Sequence, residues 1–406
     1  MAKISTDSGK IQHFLSRGVA NVYPNKNYLE KILKADKQLS IYYGIDPTGP
    51  SLHLGHAIEL EKLRQWQELG HKIIILIGDF TATIGDPTDK KATRQPLTRK
   101  QVLQNAKDYQ KQAAKFINFT GANKAELKYN STWFAKMKFE EILNLSSKFT
   151  VQQLLERDMF QNRLKEAKPI SLHELMYPVM QAYDSVMLNI DGEIGGNDQT
   201  FNMLAGRTLI KQLLDKEKFV ITMQLLTDSS GTKMGKSEGN MLSFSDSAEE
   251  MFGKVMSWTD GMIMPGFELC TRVDDKELQT LKQNLAKGKN PRDLKFLLAK
   301  EIVTIYYSAK EAEKAAANFE QIFKKKEIPN DIVEIKLANK KINPVDLLIT
   351  LKFVSSKNEA KRLVEGNGMK VNQEKINSWE KDLNLKTGDI VQAGKRKFAK
   401  MVRTMI

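Results

Sequence analysis

Cysteine is almost absent from this sequence of 406 residues, Cys270 being the single one. An internal disulfide framework is thereby excluded, as are CxxC metal or redox motifs, which need two thiols. A reducing cytoplasm fits best. Long apolar runs are missing as well. The opening MAKISTDSGKIQHFL has no extended apolar core, and nothing later approaches the roughly 20 apolar residues that a membrane span requires. The expectation is a protein neither secreted nor membrane-spanning. Net negative charge is lacking too: 63 Lys and Arg oppose 49 Asp and Glu, leaving +14. That balance admits a polyanionic partner such as nucleic acid, although a lysine-rich proteome would produce it equally well. With 41% hydrophobic residues, the chain can bury more than one core, and two or three domains are expected.

Short β-branched runs at Ile41 to Ile45 and Ile73 to Ile77 flank a stretch of helical spacing, Ala57 to Leu69. Strand, helix, strand predicts a parallel α/β sheet with ligands at the carboxyl ends of its strands. From Ser245 the texture changes to long charged-apolar segments, and Pro291 to Tyr307 puts Leu294, Leu297, Leu298, Ile302 and Ile305 on one helical face. Lys324-Lys325-Lys326 and Pro329 break that pattern, and a small module begins near Asn343. Residues 343–406 carry 13 Lys and Arg against 7 Asp and Glu. Nearly half of the net charge therefore sits in less than a sixth of the chain, a concentration that a proteome-wide lysine bias would not produce.

The first chemical constellation is Tyr42-Tyr43-Gly44-Ile45-Asp46-Pro47-Thr48-Gly49-Pro50-Ser51-Leu52-His53-Leu54-Gly55-His56. It leads from a strand into a helix start, where backbone N–H groups and the helix dipole favour phosphate. Two imidazoles three residues apart share a face, and Gly55 between them lets a flat base approach the backbone. A nucleoside triphosphate suits such a place, as would two ordinary helix-start histidines. A protein-held metal is not expected, because no third histidine or suitable carboxylate follows at zinc spacing.

The second is Asp228-Ser229-Ser230-Gly231-Thr232-Lys233-Met234-Gly235-Lys236-Ser237-Glu238-Gly239. A Walker A loop would need glycine at Ser230, so that reading fails. What remains is a Gly- and Ser-rich loop presenting two lysines, suited to closing over a polyphosphate or simply solvated.

Together, His53-Leu54-Gly55-His56 and Lys233-Met234-Gly235-Lys236-Ser237 resemble the paired signatures of the class I aminoacyl-tRNA synthetases, with Gly235 where their consensus has serine. Gly85-Asp86-Pro87-Thr88-Asp89-Lys90-Lys91 through Arg94, Tyr177-Pro178-Val179-Met180-Gln181-Ala182-Tyr183-Asp184 and Gly195-Gly196-Asn197-Asp198-Gln199 resemble motifs of the bacterial tyrosyl-tRNA synthetases. Tyr43 and Thr200 stand where better-known bacterial members carry cysteine and tryptophan, which puts the packing around the ribose in question. The resemblance spans nearly the whole chain. It implies that Asp86, Tyr177 and Gln181 hold the ammonium of L-tyrosine, that Tyr42 and Asp184 grip its phenolic hydroxyl, and that Gln199 takes its carboxylate. Asp198 would take the adenosine ribose of ATP, with Asp46 and Thr48 near the reacting phosphate and Gly55 against the base. His53, His56, Lys90, Arg94, Lys233 and Lys236 would stabilise charge on the triphosphate, which carries Mg2+, with Ser237 alongside. No prosthetic group is implied. On a helix, Tyr177, Gln181 and Asp184 recur at spacings of four and three and share a face, and polar residues on such a stripe favour a pocket over packing.

At the C-terminus, Ser356 and Glu359 form a capping-box pattern that starts a helix. Lys357, Lys361 and Arg362 lie on or near one face of it, and Lys395, Arg396 and Lys397 add a second basic cluster. This region resembles the small ribosomal-protein-like RNA-binding fold that closes bacterial tyrosyl enzymes; a solvated basic helix is the plain alternative.

The expected architecture is thus a Rossmann-like parallel-sheet α/β catalytic domain over 1–228 and a mobile lysine loop over 229–242. A helical anticodon-side domain (243–326), a linker (327–342) and an α+β RNA-binding domain (343–406) follow. The implied reaction is tyrosine–tRNA ligation in a homodimer: the tyrosine carboxylate attacks the α-phosphate of ATP and pyrophosphate leaves, then the terminal ribose hydroxyl of tRNA(Tyr) attacks the carbonyl of the tyrosyl-adenylate and AMP leaves. The tyrosine carboxylate is already ionised at neutral pH, so positioning and charge stabilisation suffice without a buried base. The rivals are a tryptophanyl enzyme, an RNA-binding or splicing relative without catalysis, and a nucleotidyltransferase making a small metabolite.

Overall fold

Six strands build the larger sheet: Val19–Tyr23 (β1), Ser40–Ile45 (β2), Lys72–Ile77 (β3), Glu126–Tyr129 (β4), Gly192–Gly196 (β5) and Phe219–Met223 (β6), in the order β1-β6-β5-β2-β3-β4. This is a computed structural model; it describes residues 3–86, 97–227, 241–324, 333–336, 341–354, 356–394 and 397–402. β1 pairs antiparallel with β6, and every other pairing in this sheet is parallel. The apolar run of β3 has no polar alternation because helices cover both faces of a parallel sheet; Ile73 to Ile77 are all buried.

The connections β2 to β3 to β4 progress in one direction across the sheet, whereas β5 to β6 progress in the other. β2 and β5 are therefore neighbours whose crossovers diverge, and a crevice opens beyond their carboxyl ends. Tyr42 on β2 lies opposite Glu193 on β5. The chain after β2 carries Asp46 to His56, and that after β5 carries Asn197 to Gln199, so both motif segments face this crevice.

The helix expected over 57–69 spans Leu54–Glu68. It starts earlier because His53 serves as its N-cap, the backbone N–H of Gly55 donating to His53 Nδ1 at 3.2 Å. The helix expected over 291–307 spans Pro291–Tyr306. Its fully buried stripe runs through Leu294, Leu298, Ala299, Ile302, Val303 and Tyr306, leaving Leu297 and Ile305 half-buried at its edges.

Packing divides the chain into two units, Met1–Asp246 with Ser257–Tyr306, and Ser247–Met256 with Tyr307–Ile406. In the second unit the helices Ala248–Met256 and Ala309–Lys324 meet through Phe252 and Phe319, whose ring centres are 5.4 Å apart. The same unit holds the helices Pro344–Thr350 and Lys357–Glu365 against a mostly antiparallel sheet. Leu347, Leu348, Ala360, Val364, Met369, Val391 and Ala399 form a core there with no exposed surface.

Candidate active site

The histidine segment is held by its own side chains and by a neighbouring pair of helices. His53 N–H donates to His56 Nδ1 at 3.1 Å, and Gly55 N–H donates to His53 Nδ1, so the ring proton of each neutral imidazole belongs on Nε2. The rings lie 3.9 Å apart between centres. A Cβ on Gly55 would fall 2.9 Å from His53 Cε1, so a side chain here would have to displace the imidazole. From the helices Arg99–Ala106 and Tyr109–Ala113, Asn105 Nδ2 donates to Pro47 O at 2.9 Å and Tyr109 Oη to Gly49 O at 2.6 Å. Gln112 donates to Pro50 O at 3.1 Å and accepts from Leu52 N–H at 2.7 Å. Four backbone groups of the β2-to-helix connection are thus fixed from outside it.

Residues 228–240, with Lys233, Lys236 and Ser237, lie outside the described residues, as do Lys90, Arg94, Lys395 and Arg396. The chain re-entering after 240 is hydrogen-bonded to the histidine segment: Leu54 N–H donates to Leu242 O at 3.0 Å and Phe244 N–H to Leu52 O at 2.9 Å. The segment that follows the lysine signature in sequence is therefore paired with the histidine segment, although about 190 residues separate them.

Asp46 sits at the end of β2, accepting from Thr81 Oγ1 at 2.7 Å and Tyr177 Oη at 3.0 Å. Burial pushes its carboxyl up to about 7, with Asp86 and Asp79 adding to the rise and the two hydroxyl donors opposing it. The contact needs glycine at 78, where a Cβ would lie 1.9 Å from Asp46 Oδ1. Thr48 is exposed beside it. Asp86 accepts from Arg157 at 3.1 Å and from Gln199 Nε2 at 2.9 Å.

On the helix Leu172–Leu188, Tyr177 and Asp184 are buried and Gln181 half-buried. Asp184 accepts from Trp133 Nε1 at 2.9 Å and Asn130 Nδ2 at 3.3 Å, and burial holds its carboxyl well above the usual range against those two donors. Tyr42 Oη lies 3.2 Å from Ser185 Oγ, and Gln181 Nε2 donates to Glu193 Oε1 at 2.9 Å. Each of the residues assigned to tyrosine is thus anchored by a partner of its own. Arg157, Asn130, Trp133, Ser185, Glu193 and Lys218 escaped the sequence reading. For Glu193 and Lys218 the available signal was a charge inside or just before a strand, β5 and β6; the other four had none.

Asp198, which the resemblance assigns to the ribose, is exposed beyond β5. Tyr43 is buried, its hydroxyl 3.5 Å from Glu59 Oε2, so the ring lies beneath this region rather than in it. Thr200 opens the helix Thr200–Leu214 and donates to Asn197 O at 2.6 Å.

Among the C-terminal basic residues, Lys357 and Arg362 are exposed, and Lys361 Nζ stacks 3.9 Å above the Trp379 ring. Lys397 donates to Phe353 O.

Residues 34–324 match the family model described as tRNA synthetases class I (W and Y). Tyrosine–tRNA ligase 2 of Clostridium acetobutylicum is 42% identical over 96% of this chain and 97% of its own length. The tyrosine–tRNA ligase of Carboxydothermus hydrogenoformans is 44% identical over 96% of each. The chain belongs to the tyrosine–tRNA ligase family of class I synthetases. Among solved structures, the tyrosyl-tRNA synthetase of Archaeoglobus fulgidus, complexed with L-tyrosine, shares the fold at a TM-score of 0.60 and 20% identity, over 76% of this chain and 99% of that one. A C-terminally truncated mitochondrial synthetase of Coccidioides posadasii has a TM-score of 0.63 at 24% identity, over 77% and 92%. Family membership brings ATP as a substrate.

Proposed function

We propose that the chain activates L-tyrosine with ATP and transfers it to tRNA(Tyr), with the residue roles implied by the signature motifs. The observation that carries this reading is the convergence at the β2–β5 crevice of Asp46, Tyr177, Gln181, Asp184 and Gln199 with the backbone-clamped histidine segment. Tyr42 and Asp184 place a buried hydroxyl and a buried carboxyl at one pocket, which suits a phenol better than an indole. Magnesium enters with the triphosphate, as is usual for a cation that keeps its waters and binds phosphate oxygens. Asp86, held by Arg157 and Gln199, lies at the ammonium end, and Asp198 at the ribose.

The same reading takes residues 343–406 as the RNA-binding module, led by Lys357, Lys361, Arg362 and the cluster 395–397, and keeps the division into catalytic, loop, helical, linker and RNA-binding segments. It also takes the active form as a homodimer. Phe139, Leu143, Val151, Leu164 and Leu172 are large apolar side chains at least half exposed in the catalytic unit, as expected of a surface covered by a second copy. No helix among the described residues is long and apolar enough to cross a membrane, and a cytoplasmic location is part of the proposal.

Exchange of labelled pyrophosphate into ATP, measured with tyrosine, tryptophan and phenylalanine in turn, tests the assignment. Tyrosine alone should support rapid exchange. Exchange supported equally by tryptophan, or by no amino acid, sinks it.

A further inference from the structure

Lys218 is a charged side chain with no exposed surface, and its partner Glu193 is 2% exposed. Its Nζ reaches Ser185 Oγ at 2.7 Å, Met203 O at 3.2 Å and Glu193 Oε2. Burial lowers the pKa of this amine, while the Glu193 carboxylate in direct contact opposes that fall and favours the ammonium, which can donate to all three partners. Gly206 makes room for it: a Cβ there would lie 2.6 Å from Nζ and 2.7 Å from Ser185 Oγ. A buried ion pair gives stability little that apolar packing would not give as well, and none of these three side chains has a part in the reaction as described above.

Their contacts lead to the tyrosine pocket. Glu193 Oε1 accepts from Gln181 Nε2, which turns the Gln181 carbonyl oxygen away from Glu193. Ser185 Oγ, which accepts from the ammonium, has two acceptors for its own proton: Tyr42 Oη at 3.2 Å and Glu193 Oε2 at 3.5 Å. The carboxylate oxygen lies at the limit of hydrogen-bond distance and Tyr42 Oη is nearer, so the proton is given mainly to Tyr42. Tyr42 then has an oxygen lone pair occupied, and its own proton is directed away from Ser185, where its one protein acceptor among these contacts is the backbone oxygen of Gln181 at the long distance of 3.5 Å. That proton stays on the phenol, since burial, with Glu193 and Asp184 nearby, pushes its pKa well up.

We propose that Lys218, Glu193 and Ser185 are positioning residues that set hydrogen-bond direction in the tyrosine pocket. They make Tyr42 a donor toward the substrate's phenolic oxygen and leave the Gln181 carbonyl oxygen as an acceptor for its ammonium. The inference rests on the tyrosine reading above. It adds a source of specificity: phenylalanine offers no oxygen to Tyr42, whose donor is then left in a buried site with only the long contact to the Gln181 backbone oxygen.

The test uses the full chain in pyrophosphate exchange, with kcat/KM measured for tyrosine and for phenylalanine. Ser185→Ala should lower the tyrosine-over-phenylalanine ratio roughly three- to tenfold, the worth of one neutral hydrogen bond, with KM for ATP unchanged. In a Tyr42→Phe background the same substitution should change the ratio no further, because the hydroxyl through which Ser185 acts is gone. Should Ser185→Ala fail to fold, Ser185→Cys keeps the volume with a poor donor and is read in the same way. A wild-type protein without tyrosine preference refutes the tyrosine reading itself. A wild type that prefers tyrosine, combined with an unchanged ratio in the Ser185 variants or with additive effects in the double variant, overturns the positioning role alone.

Discussion

Glu59 is a carboxylic acid almost wholly enclosed, with the Tyr43 hydroxyl donating to it at 3.5 Å. Burial raises it from 4.5 to about 8, with Asp198 adding repulsion while the hydrogen bonds it accepts pull the other way. The folded state therefore holds a proton that the unfolded chain releases near 4.5. This contribution to stability is fully present below about pH 4.5 and is lost as pH rises through about 8. Glu59→Gln keeps the shape and cannot ionise, so it should remove that fall. Thermal unfolding at pH 5 and at pH 8.5 should show a Tm for the variant that meets or exceeds wild type at the higher pH only. The effect is expected to be a few kcal/mol at most, since a shift of one unit is worth about 1.4 kcal/mol. A parallel pH dependence in both proteins would show that Glu59 is not the group responsible.

Asn105, Tyr109 and Gln112, at spacings of four and three along consecutive helices, act together on the loop from Pro47 to Leu52. No metal or covalent tie among the described residues holds that loop; side-chain amides and one phenol do. In the proposed reaction it carries Thr48 and leads into His53, so its placement should matter more for ATP than for tyrosine. Gln112→Ala removes a donor and an acceptor at once, and is expected to raise KM for ATP about tenfold in pyrophosphate exchange, consistent with the loss of roughly 1 to 2 kcal/mol. Gln112→Glu keeps the acceptor for Leu52 N–H and should fall between. Equal effects on the KM of ATP and tyrosine would mean that the clamp serves general stability instead.

Across the molecule, the residues assigned to tyrosine and ATP lie before position 238, and the concentrated positive charge lies after 342. A chain ending at Lys326 retains the pair of helices Ala248–Met256 and Ala309–Lys324 and loses the core built on Leu347, Val364 and Val391. It should still exchange pyrophosphate with tyrosine, yet charge tRNA poorly, having lost the phosphate contacts proposed for Lys357, Arg362 and their neighbours. The dependence of tRNA binding on salt should flatten with it, because the slope counts phosphates neutralised. Aminoacylation and exchange, measured side by side at two salt concentrations for both lengths, check this; charging by the fragment at the full-length rate would contradict it.

Local signals in the chain determined a good deal. The β-branched runs of β2 and β3, the helix between them, the stripe from Leu294 to Ile302 and the Ser356 cap all depend on neighbours within a few residues, so their physics is written locally. Family motifs pointed to Tyr42, Asp46, Asp86, Tyr177, Gln181, Asp184 and Gln199, but not to what each one touches. Only the tertiary structure decided that, because β2 and β5 become neighbours across some 150 residues of sequence. It set Glu193 beside Tyr42, Lys218 beneath both, and Arg157 against Asp86, and it required Gly78 and Gly206 to have no side chain. A buried charge can be tolerated only where its partners converge, and those partners come from separate strands and helices, so no stretch of sequence could announce them.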